Sequence, residues 1–265
     1  MKQFDLIISN TNWYLKYIGI PLTVGVAVYS LLKQICTKRR RSALQGKSIK
    51  TQEPVILVLD LAELDTITKF VENVHEVCGN IDILINNGGV SHRGSILHSK
   101  MEVFKQIMYI NYFGTVALTK AVLPRMVEKK SGHIVMVSSI QGLIAIPDRA
   151  AYAASKHAMQ AFSDSLRSEM KQHNINVTVV SPGYIKTAVS LNALSESGSA
   201  HGVMDKSTAA GFTPEYLAQR MVDSIVNKEN ELVVSQFFPN LAVFLRHFAP
   251  TIYFWIMERR SMKTN

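Results

Sequence analysis

Short apolar runs alternate with longer amphipathic stretches along most of the chain from residue 55 onward. The apolar runs are rich in β-branched residues, which is typical of buried strands in a parallel sheet. They predict strands at residues 55–59, 81–85, 134–137, 177–180 and 232–234. Between the strands, apolar residues at helical spacing predict helices at residues 64–78, 103–127, 150–171 and 214–225.

Residue types at the predicted helix ends support this pattern. Gly79 and Asn80 are expected to end the first helix. Thr213, Pro214 and Glu215 supply a capping side chain, a first-position proline and a first-turn acid for the last one. Strands that alternate with long helices indicate an α/β fold with a doubly wound parallel sheet.

Polar and glycine residues gather where the predicted strands end. They are Asp60, residues 86–89 (Asn-Asn-Gly-Gly), Ser138 with Ser139, and Pro182 with Gly183. The carboxyl ends of strands in an open parallel sheet meet at one edge, where such sheets bind ligands. We therefore expect these residues to border a single crevice.

Tyr152 and Lys156 lie four residues apart in an alanine-rich run that favours helix. That spacing puts both side chains on one helix face, about one turn apart. A phenol beside a cation is suited to proton transfer, because a nearby positive charge favours the phenolate. Ser139 precedes Tyr152 by thirteen residues.

The composition is that of one principal α/β domain. The 265 residues are 47% hydrophobic and 18% charged, which allows a large core and indicates no disordered block. Cys36 and Cys78 match no metal or redox spacing, so free thiols in a reducing compartment are expected. The net charge of +9 does not predict nucleic-acid binding, because the basic residues are not interleaved with aromatic ones.

The basic residues concentrate beside a charge-free segment, residues 17–32. Sixteen residues span about 24 Å as a helix, a little less than a bilayer core of about 30 Å. Flanking lysines and the aromatic pair Trp13 and Tyr14 favour a single-pass membrane anchor over a signal peptide or a buried core helix. The basic run at residues 38–41 places the rest of the chain in the cytosol.

The order of these motifs resembles that of the short-chain dehydrogenase/reductases, and in its details the membrane-anchored 7B group of that family. The residues that carry the resemblance are Asp60-Leu61, Asn86-Asn87-Gly88-Gly89, Asn111, Ser139, Tyr152 with Lys156, and Pro182-Gly183 followed by Thr187. Gly88 stands where the family has alanine. The resemblance implies a Rossmann-like fold from residue 55 onward and a membrane location in the endoplasmic reticulum.

The same resemblance implies the roles of four catalytic residues. Tyr152 would exchange a proton with the substrate oxygen, and Lys156 would lower its pKa together with a nearby nicotinamide ring. Ser139 would hold the substrate oxygen, and Asn111 would anchor a water chain that reaches Lys156. Taken singly, Ser139 could instead cap a strand end, Asn111 could bond a loop, and Lys156 could be a solvated helix residue.

The implied cofactor is NADP or NAD. Its ligands in the family pattern would be Asp60, at the adenine amino group, together with Leu61, Asn87, Gly88, Tyr152, Lys156, Pro182, Gly183, Ile185 and Thr187. The segment 182–187 would clasp the nicotinamide carboxamide. Asp60 could otherwise be a helix cap. His133, His157 and His173 have no partners at metal spacing, so no metal site is predicted.

The family's glycine-rich phosphate-binding turn has no counterpart in this sequence. Only thirteen residues, 42–54, separate the basic run from the strand at 55–59, and Gly46 is the one glycine among them. A strand-helix-strand crossover needs about 30 residues. The sheet is therefore expected to lack its N-terminal half, and strand 55–59 could move beside strand 81–85 through a right-handed crossover.

The sequence thus divides into an anchor with its basic flank (1–41), a linker (42–54), a shortened Rossmann-like domain (55–235) and an apolar C-terminal segment (236–265). The last segment could be a lid over the crevice or lie on a bilayer. Either suits a lipophilic alcohol or carbonyl substrate. The alternative is an inactive, membrane-tethered binding or scaffold protein, and the family also suggests a homodimer.

Overall fold

Four parallel strands form the sheet in the computed structural model, which describes residues 54–262. Each strand pairs with the next along the chain, in the order β1-β2-β3-β4. The strands are β1 (Ile83–Asn86), β2 (Gly132–Val137), β3 (Ile175–Pro182) and β4 (Glu231–Val234). The predicted α/β architecture with a parallel sheet is confirmed, and each of these strands overlaps a predicted one.

Eight α-helices accompany the strands in the described residues. They are α1 (Leu64–Cys78), α2 (Met101–Met108), α3 (Thr115–Lys129), α4 (Ala150–Met170), α5 (Lys206–Ala209), α6 (Pro214–Val226), α7 (Phe237–Phe248) and α8 (Pro250–Met262). Short 3-10 turns occupy Ile140–Gly142 and Lys171–His173.

The predicted helix boundaries at α1 and α6 are confirmed. Gly79 follows α1 with φ 77°, a left-handed conformation that favours glycine. Thr213 caps α6, because its side chain accepts a hydrogen bond from the Tyr216 backbone N–H at 3.2 Å, and Pro214 is the first helical residue.

Different helices cover the two faces of the sheet. Side chains alternate along β2, so Ile134 and Met136 pack on one face with α3 and α4, and Val135 packs on the other with α6. The first face carries the larger core, which includes fully buried residues of α3, α4 and β3. The carboxyl ends of β2 and β3 are held side by side by this packing.

The predicted single helix over residues 103–127 is wrong in one respect. A π-helical segment, Tyr109–Gly114, separates α2 from α3. Such a segment widens the helix locally and is common at functional sites. Here it includes Asn111, whose fully buried side chain bonds outside the helix.

The predicted strand at residues 55–59 is not formed, and its proposed pairing beside β1 is also wrong. Val55, Ile56 and Val58 are 57%, 88% and 94% exposed. Among the described strands, β1 pairs with β2 alone. The sequence of this run favours a strand locally, but a strand is stable only with a neighbour to accept its hydrogen bonds and a surface to cover its side chains.

The predicted membrane anchor and linker lie outside the described residues, except for the last linker residue. Within residues 54–262, none of the helices combines the length and the apolar character needed to cross a membrane. The C-terminal segment, which was not expected to span a bilayer, forms α7 and α8, with Pro250 at the start of the second helix.

Candidate active site

A cavity of about 310 Å³ lies at the carboxyl ends of β2 and β3. Ser139 follows β2, Gly183 and Ile185 follow β3, and Tyr152 reaches the cavity from the first turn of α4. These four predicted site residues line the cavity together. The crevice expected from the strand ends is therefore present at this part of the sheet.

Ser139 caps a turn and also faces the cavity. Its Oγ accepts a hydrogen bond from the Gln141 N–H at 3.1 Å and lies 3.5 Å from the Pro182 carbonyl oxygen. The side chain is buried and lines the cavity together with Tyr152. The capping role and the catalytic role predicted for Ser139 are compatible, because an oxygen that accepts from Gln141 keeps its own O–H to donate to a substrate oxygen.

Tyr152 is partly exposed where it lines the cavity, and protein surrounds the rest of its side chain. Burial raises its pKa above the ordinary value for tyrosine, while the Ser139 hydrogen bond and the charges of Arg93 and Arg149 act in the opposite direction. Lys156 was expected to lower this pKa, but its Nζ lies 5.8 Å from the centre of the Tyr152 ring, and burial dominates in the chain by itself. The phenol is therefore protonated at neutral pH.

Lys156 is buried behind Tyr152. The residue is 4% exposed, and its Nζ donates a hydrogen bond to the Val137 carbonyl oxygen at 2.9 Å. Burial lowers the pKa of this ammonium group to about 8. The alternative of a solvated surface lysine is excluded by this position.

Asn111 connects the π-helical segment to the loop after β1. Its Oδ1 accepts from the Val90 N–H at 2.8 Å, and its Nδ2 donates to the Val90 carbonyl at 2.9 Å and to the Ser155 hydroxyl at 2.9 Å. A Cβ added at Gly89 would come within 2.9 Å of Asn111 Oδ1 and 3.6 Å of Lys156 Nζ. The loop can approach these two side chains because residue 89 is glycine.

Asn86 ties β1 to its surroundings rather than facing the cavity. Its Nδ2 donates to the Thr119 hydroxyl of α3 at 3.0 Å and lies 3.2 Å from the Met136 sulfur on β2. His133 is likewise structural, because its ring nitrogen bonds Thr178 at 2.8 Å. Within residues 54–262 there is no group of potential metal ligands.

Two arginines and a carboxylate form an ion cluster at the cavity that the sequence did not reveal. Arg93 Nη2 lies 2.6 Å from Asp205 Oδ2, and Arg149 Nη2 lies 3.2 Å from the same oxygen. Burial is the main cause that lowers the pKa of Arg149 to about 10. Because the three residues come from separate loops, no spacing in the sequence could have brought them together.

The segment after β3 is fixed to the segment after β4. The Gly183 N–H donates to the Val234 carbonyl at 2.8 Å, and Gln236 Nε2 donates to the Tyr184 carbonyl at 3.0 Å. Thr187 is partly exposed and its hydroxyl accepts from the Val189 N–H at 3.4 Å. Residues 183–185 therefore border the cavity, while Pro182 and Thr187 lie outside its lining.

Four of the predicted cofactor ligands, Asp60, Leu61, Asn87 and Gly88, do not line this cavity. Asp60 is exposed, and its Oδ1 accepts from the Ala62 N–H at 2.8 Å, which makes it a turn-capping residue. Asn87 and Gly88 are exposed at the end of β1. Leu61 packs against Gly88, where its Cδ1 would lie 2.7 Å from an added Cβ.

The described residues match only the nicotinamide side of a dinucleotide. Buried Lys156, Tyr152 in the cavity wall and the backbone at 183–185 supply polar groups there. The diphosphate requires a turn of free backbone N–H groups, and residues 54–78 contain no glycine from which to build one. The described residues thus fit the nicotinamide half of the implied cofactor better than its diphosphate.

Gly114 and Gly88 offer a matched test of the packing around Leu61. A Cβ at Gly114 would lie 2.3 Å from the Leu61 carbonyl oxygen, whereas a Cβ at Gly88 would meet only the mobile end of the Leu61 side chain. We expect Gly114→Ala to lower the free energy of unfolding by about 1–3 kcal/mol and Gly88→Ala by less than about 1 kcal/mol. Urea denaturation of both variants measures the difference, and equal losses would contradict this packing.

Three features define the class of protein to which this chain belongs. They are the parallel sheet, the pair of Tyr152 and Lys156 on α4, and the cavity at the strand ends, and the sequence comparisons agree with them. The chain belongs to the short-chain dehydrogenase/reductase family: the family model described as short chain dehydrogenase matches residues 26–197. By family it is an oxidoreductase.

Among its relatives is a dehydrogenase/reductase SDR family protein 7-like from Drosophila melanogaster, 54% identical over 210 residues, which cover 79% of this chain and 64% of the relative. Dehydrogenase/reductase SDR family member 7B from Xenopus laevis is 49% identical over 217 residues, which cover 82% of this chain and 67% of the relative. The chain therefore spans about two thirds of the length of these relatives.

Solved structures share the fold. A short-chain dehydrogenase from Streptomyces avermitilis aligns with a TM-score of 0.63 at 21% identity, covering 79% of both chains. A gluconate 5-dehydrogenase from Burkholderia cenocepacia J2315, in complex with NADP and tartrate, aligns with a TM-score of 0.58 at 24% identity, covering 67% of this chain and 72% of that one.

Proposed function

We propose that this chain is an NAD(P)-dependent oxidoreductase that interconverts an alcohol and a carbonyl on a lipophilic substrate, with Tyr152 as the proton donor and acceptor. The observation that carries the proposal is that Tyr152 and Ser139 line the wall of one cavity, with Lys156 buried behind Tyr152. The bound dinucleotide supplies or takes up the hydride.

Ser139 and Tyr152 act on the substrate oxygen. A carbonyl oxygen that lies between them accepts hydrogen bonds from both hydroxyls, which polarises the carbonyl. Because burial raises the pKa of Tyr152, its phenol is protonated at neutral pH and can give its proton to the developing alkoxide. In the oxidation direction the phenolate has to form first.

Lys156 supports the proton transfer from behind. Its ammonium group favours the phenolate that remains after Tyr152 gives up a proton, and its pKa of about 8 keeps it mostly protonated at pH 7. Asn111 holds the loop after β1 beside Lys156 through its two bonds to Val90. We assign Lys156 and Asn111 as the residues that keep the proton path and the nicotinamide ribose in place.

The lining of the cavity supports a lipophilic substrate. Most side chains around the two hydroxyls are apolar, and they include Ile140, Ile144, Ile146, Leu241, Leu245 and Met257. Removing apolar substrate surface from water into such a lining contributes about 25 cal/mol per Å². We further propose that the protein is membrane-bound at the endoplasmic reticulum with this domain in the cytosol, in line with the charge-free segment at 17–32. By analogy with other proteins of this fold, we also propose that it forms a homodimer.

A second candidate function, that of a catalytically inactive binding or scaffold protein, is favoured by one observation. The face of β1 that carries Ile83 and Ile85 is open, and these side chains are 48% and 46% exposed. Together with the missing glycine turn, this leaves an apolar surface where a dinucleotide-binding half-domain would otherwise be expected. Such a surface suits protein binding.

Dinucleotide affinity separates the two candidates. We expect the purified full chain in detergent to give a saturable rise in nicotinamide fluorescence when titrated with NADPH or NADH. The affinity should be weak, because only the nicotinamide half has ligands among the described residues. Absence of saturation up to millimolar NADPH and NADH would favour the inactive binding protein, and the ratio of the two affinities would give the nucleotide preference.

A further inference from the structure

Helices α7 and α8 expose an unusual number of large apolar side chains. Phe237, Phe238, Phe248 and Met262 are 72%, 77%, 62% and 75% exposed, and Phe254 and Trp255 are 49% and 51% exposed. Single exposed apolar residues are ordinary on a protein surface, but a group concentrated on two consecutive helices marks an interaction surface. We call these six residues the aromatic surface.

Cations accompany the aromatic surface. The Arg246 guanidinium lies 5.1 Å from the ring centre of Phe254, and that of Arg259 lies 4.0 Å from the ring centre of Trp255. Residues 237–262 contain three arginines and one acid, Glu258. Tryptophan and phenylalanine beside arginine are the residues that settle at the headgroup level of a bilayer, and the positive charge is attracted to anionic lipid.

The helices also form a wall of the substrate cavity. Leu241 and Ile256 line the cavity and are 38% and 37% exposed, so they lie between the cavity and the outside. Tyr253 fixes this wall, because its ring is buried and its hydroxyl donates to the Ala145 carbonyl in the loop after Ser139. A molecule that leaves a bilayer at the aromatic surface would therefore be next to the cavity.

We propose that α7 and α8 form a docking surface for a bilayer that contains anionic phospholipid, and that the substrate cavity opens at this surface. The helices lie in the plane of the interface, since their 12 and 13 residues are too few to cross a bilayer. The docking stands on the exposed residues alone, and only the delivery of substrate from the bilayer rests on the proposed function.

A second copy of this chain fits the same surface less well. A two-fold contact brings the same patch of both copies together, so the arginines of one copy would face those of the other. Like charges across an interface oppose association, whereas anionic headgroups neutralise them. Charge therefore favours lipid over self-association.

The chain contains two tryptophans, Trp13 and Trp255, which allows a direct test. In a full-length Trp13→Phe chain, Trp255 is the single tryptophan reporter. We expect its emission to shift to the blue on adding phosphatidylcholine vesicles that contain phosphatidylserine, with a smaller shift on phosphatidylcholine alone. Lipids brominated near the headgroup should quench it more than lipids brominated deep in the acyl chain.

The matching Trp255→Phe chain reports from Trp13 and separates this contact from any attachment through the N-terminal segment. If the Trp13→Phe chain binds vesicles with its Trp255 emission unshifted and unquenched, the proposal is overturned. A blue shift that depends on protein concentration and needs no vesicles would assign the surface to a second copy instead.

A paired substitution measures the strength of the docking. Phe237 and Phe248 lie outside the cavity lining. We expect the double change of both residues to serine to weaken binding of the chain to vesicles, measured by Trp255 emission, by about tenfold or more. Serine at Ile96 and Leu97, which are 72% and 84% exposed elsewhere on the chain, is the control and should leave binding unchanged. Equal losses in both pairs would contradict a specific surface. NADPH binding, measured on the same samples, reports separately on the proposed function.

Discussion

We expect turnover to fall by about 10²–10⁴-fold in Tyr152→Phe, while dinucleotide binding stays within about twofold of that of the parent chain. The substitution removes one hydroxyl from the cavity wall and leaves the ring, so the substrate oxygen loses its proton donor and Lys156 keeps its place. Steady-state rates with a long-chain ketone or aldehyde and NADPH measure the loss, and fluorescence titration measures the binding.

Tyr216→Phe is the matched control, because Tyr216 lies on α6, outside the cavity lining, and is 44% exposed. It should keep full activity. Retained turnover in Tyr152→Phe would show that Tyr152 is not the proton donor.

The rates should also depend on pH through Tyr152, because burial raises its pKa. Carbonyl reduction should not change with the protonation of this phenol near neutral pH, and it should slow as the pH approaches the pKa of the phenol. Alcohol oxidation should speed up over the same range.

Lys156→Met is expected to make the protein more stable and inactive. The pKa of the lysine falls from 10.5 to about 8 on burial, so the folded chain binds its proton less tightly than the unfolded chain does. At pH 7 this difference costs about 3 kcal/mol, and losing the hydrogen bond to Val137 offsets about 1 kcal/mol of the gain. We expect a net rise of about 2 kcal/mol in the free energy of unfolding.

The pH dependence identifies the cause. Between pH 8 and 10.5 the unfolded chain retains the Lys156 proton more than the folded chain does, so this group makes the parent chain more stable as the pH rises through that window. The Lys156→Met variant should lack that contribution. Urea denaturation at pH 7 and at pH 9.5 measures both chains.

Lys129→Met serves as the control, since Lys129 is an exposed lysine paired with Asp82 and should change stability by less than about 1 kcal/mol. A Lys156→Met chain that is less stable than its parent at pH 7 would show that burying the charged Lys156 does not destabilise the folded chain.

Local sequence was sufficient for the elements that need no distant partner. The spacing of Tyr152 and Lys156 predicted one face of a helix, and α4 has them there. Thr213 and Pro214 predicted the start of α6, because capping depends on the first turn alone. The polar residues after β2 and β3 predicted the crevice, since parallel strands end at one edge.

Residues whose state depends on distant neighbours were predicted less well. The run 55–59 has strand-forming residues, yet no described strand pairs with it. The π-helical segment Tyr109–Gly114 contains Asn111, which bonds Val90 and Ser155, and periodicity along the chain does not show these contacts.

The sequence by itself determined the class of fold and the family, and it predicted the proton-transfer residues, because each of these depends on residue type, spacing and order along the chain. Only the tertiary structure decided that Lys156 is buried and that burial is the main influence on the pKa of Tyr152. It also decided that Arg93, Arg149 and Asp205 form one ion cluster. Burial and electrostatic environment depend on residues distant in the chain. The spacing of Tyr152 and Lys156 therefore does not reveal how burial shifts their pKa values.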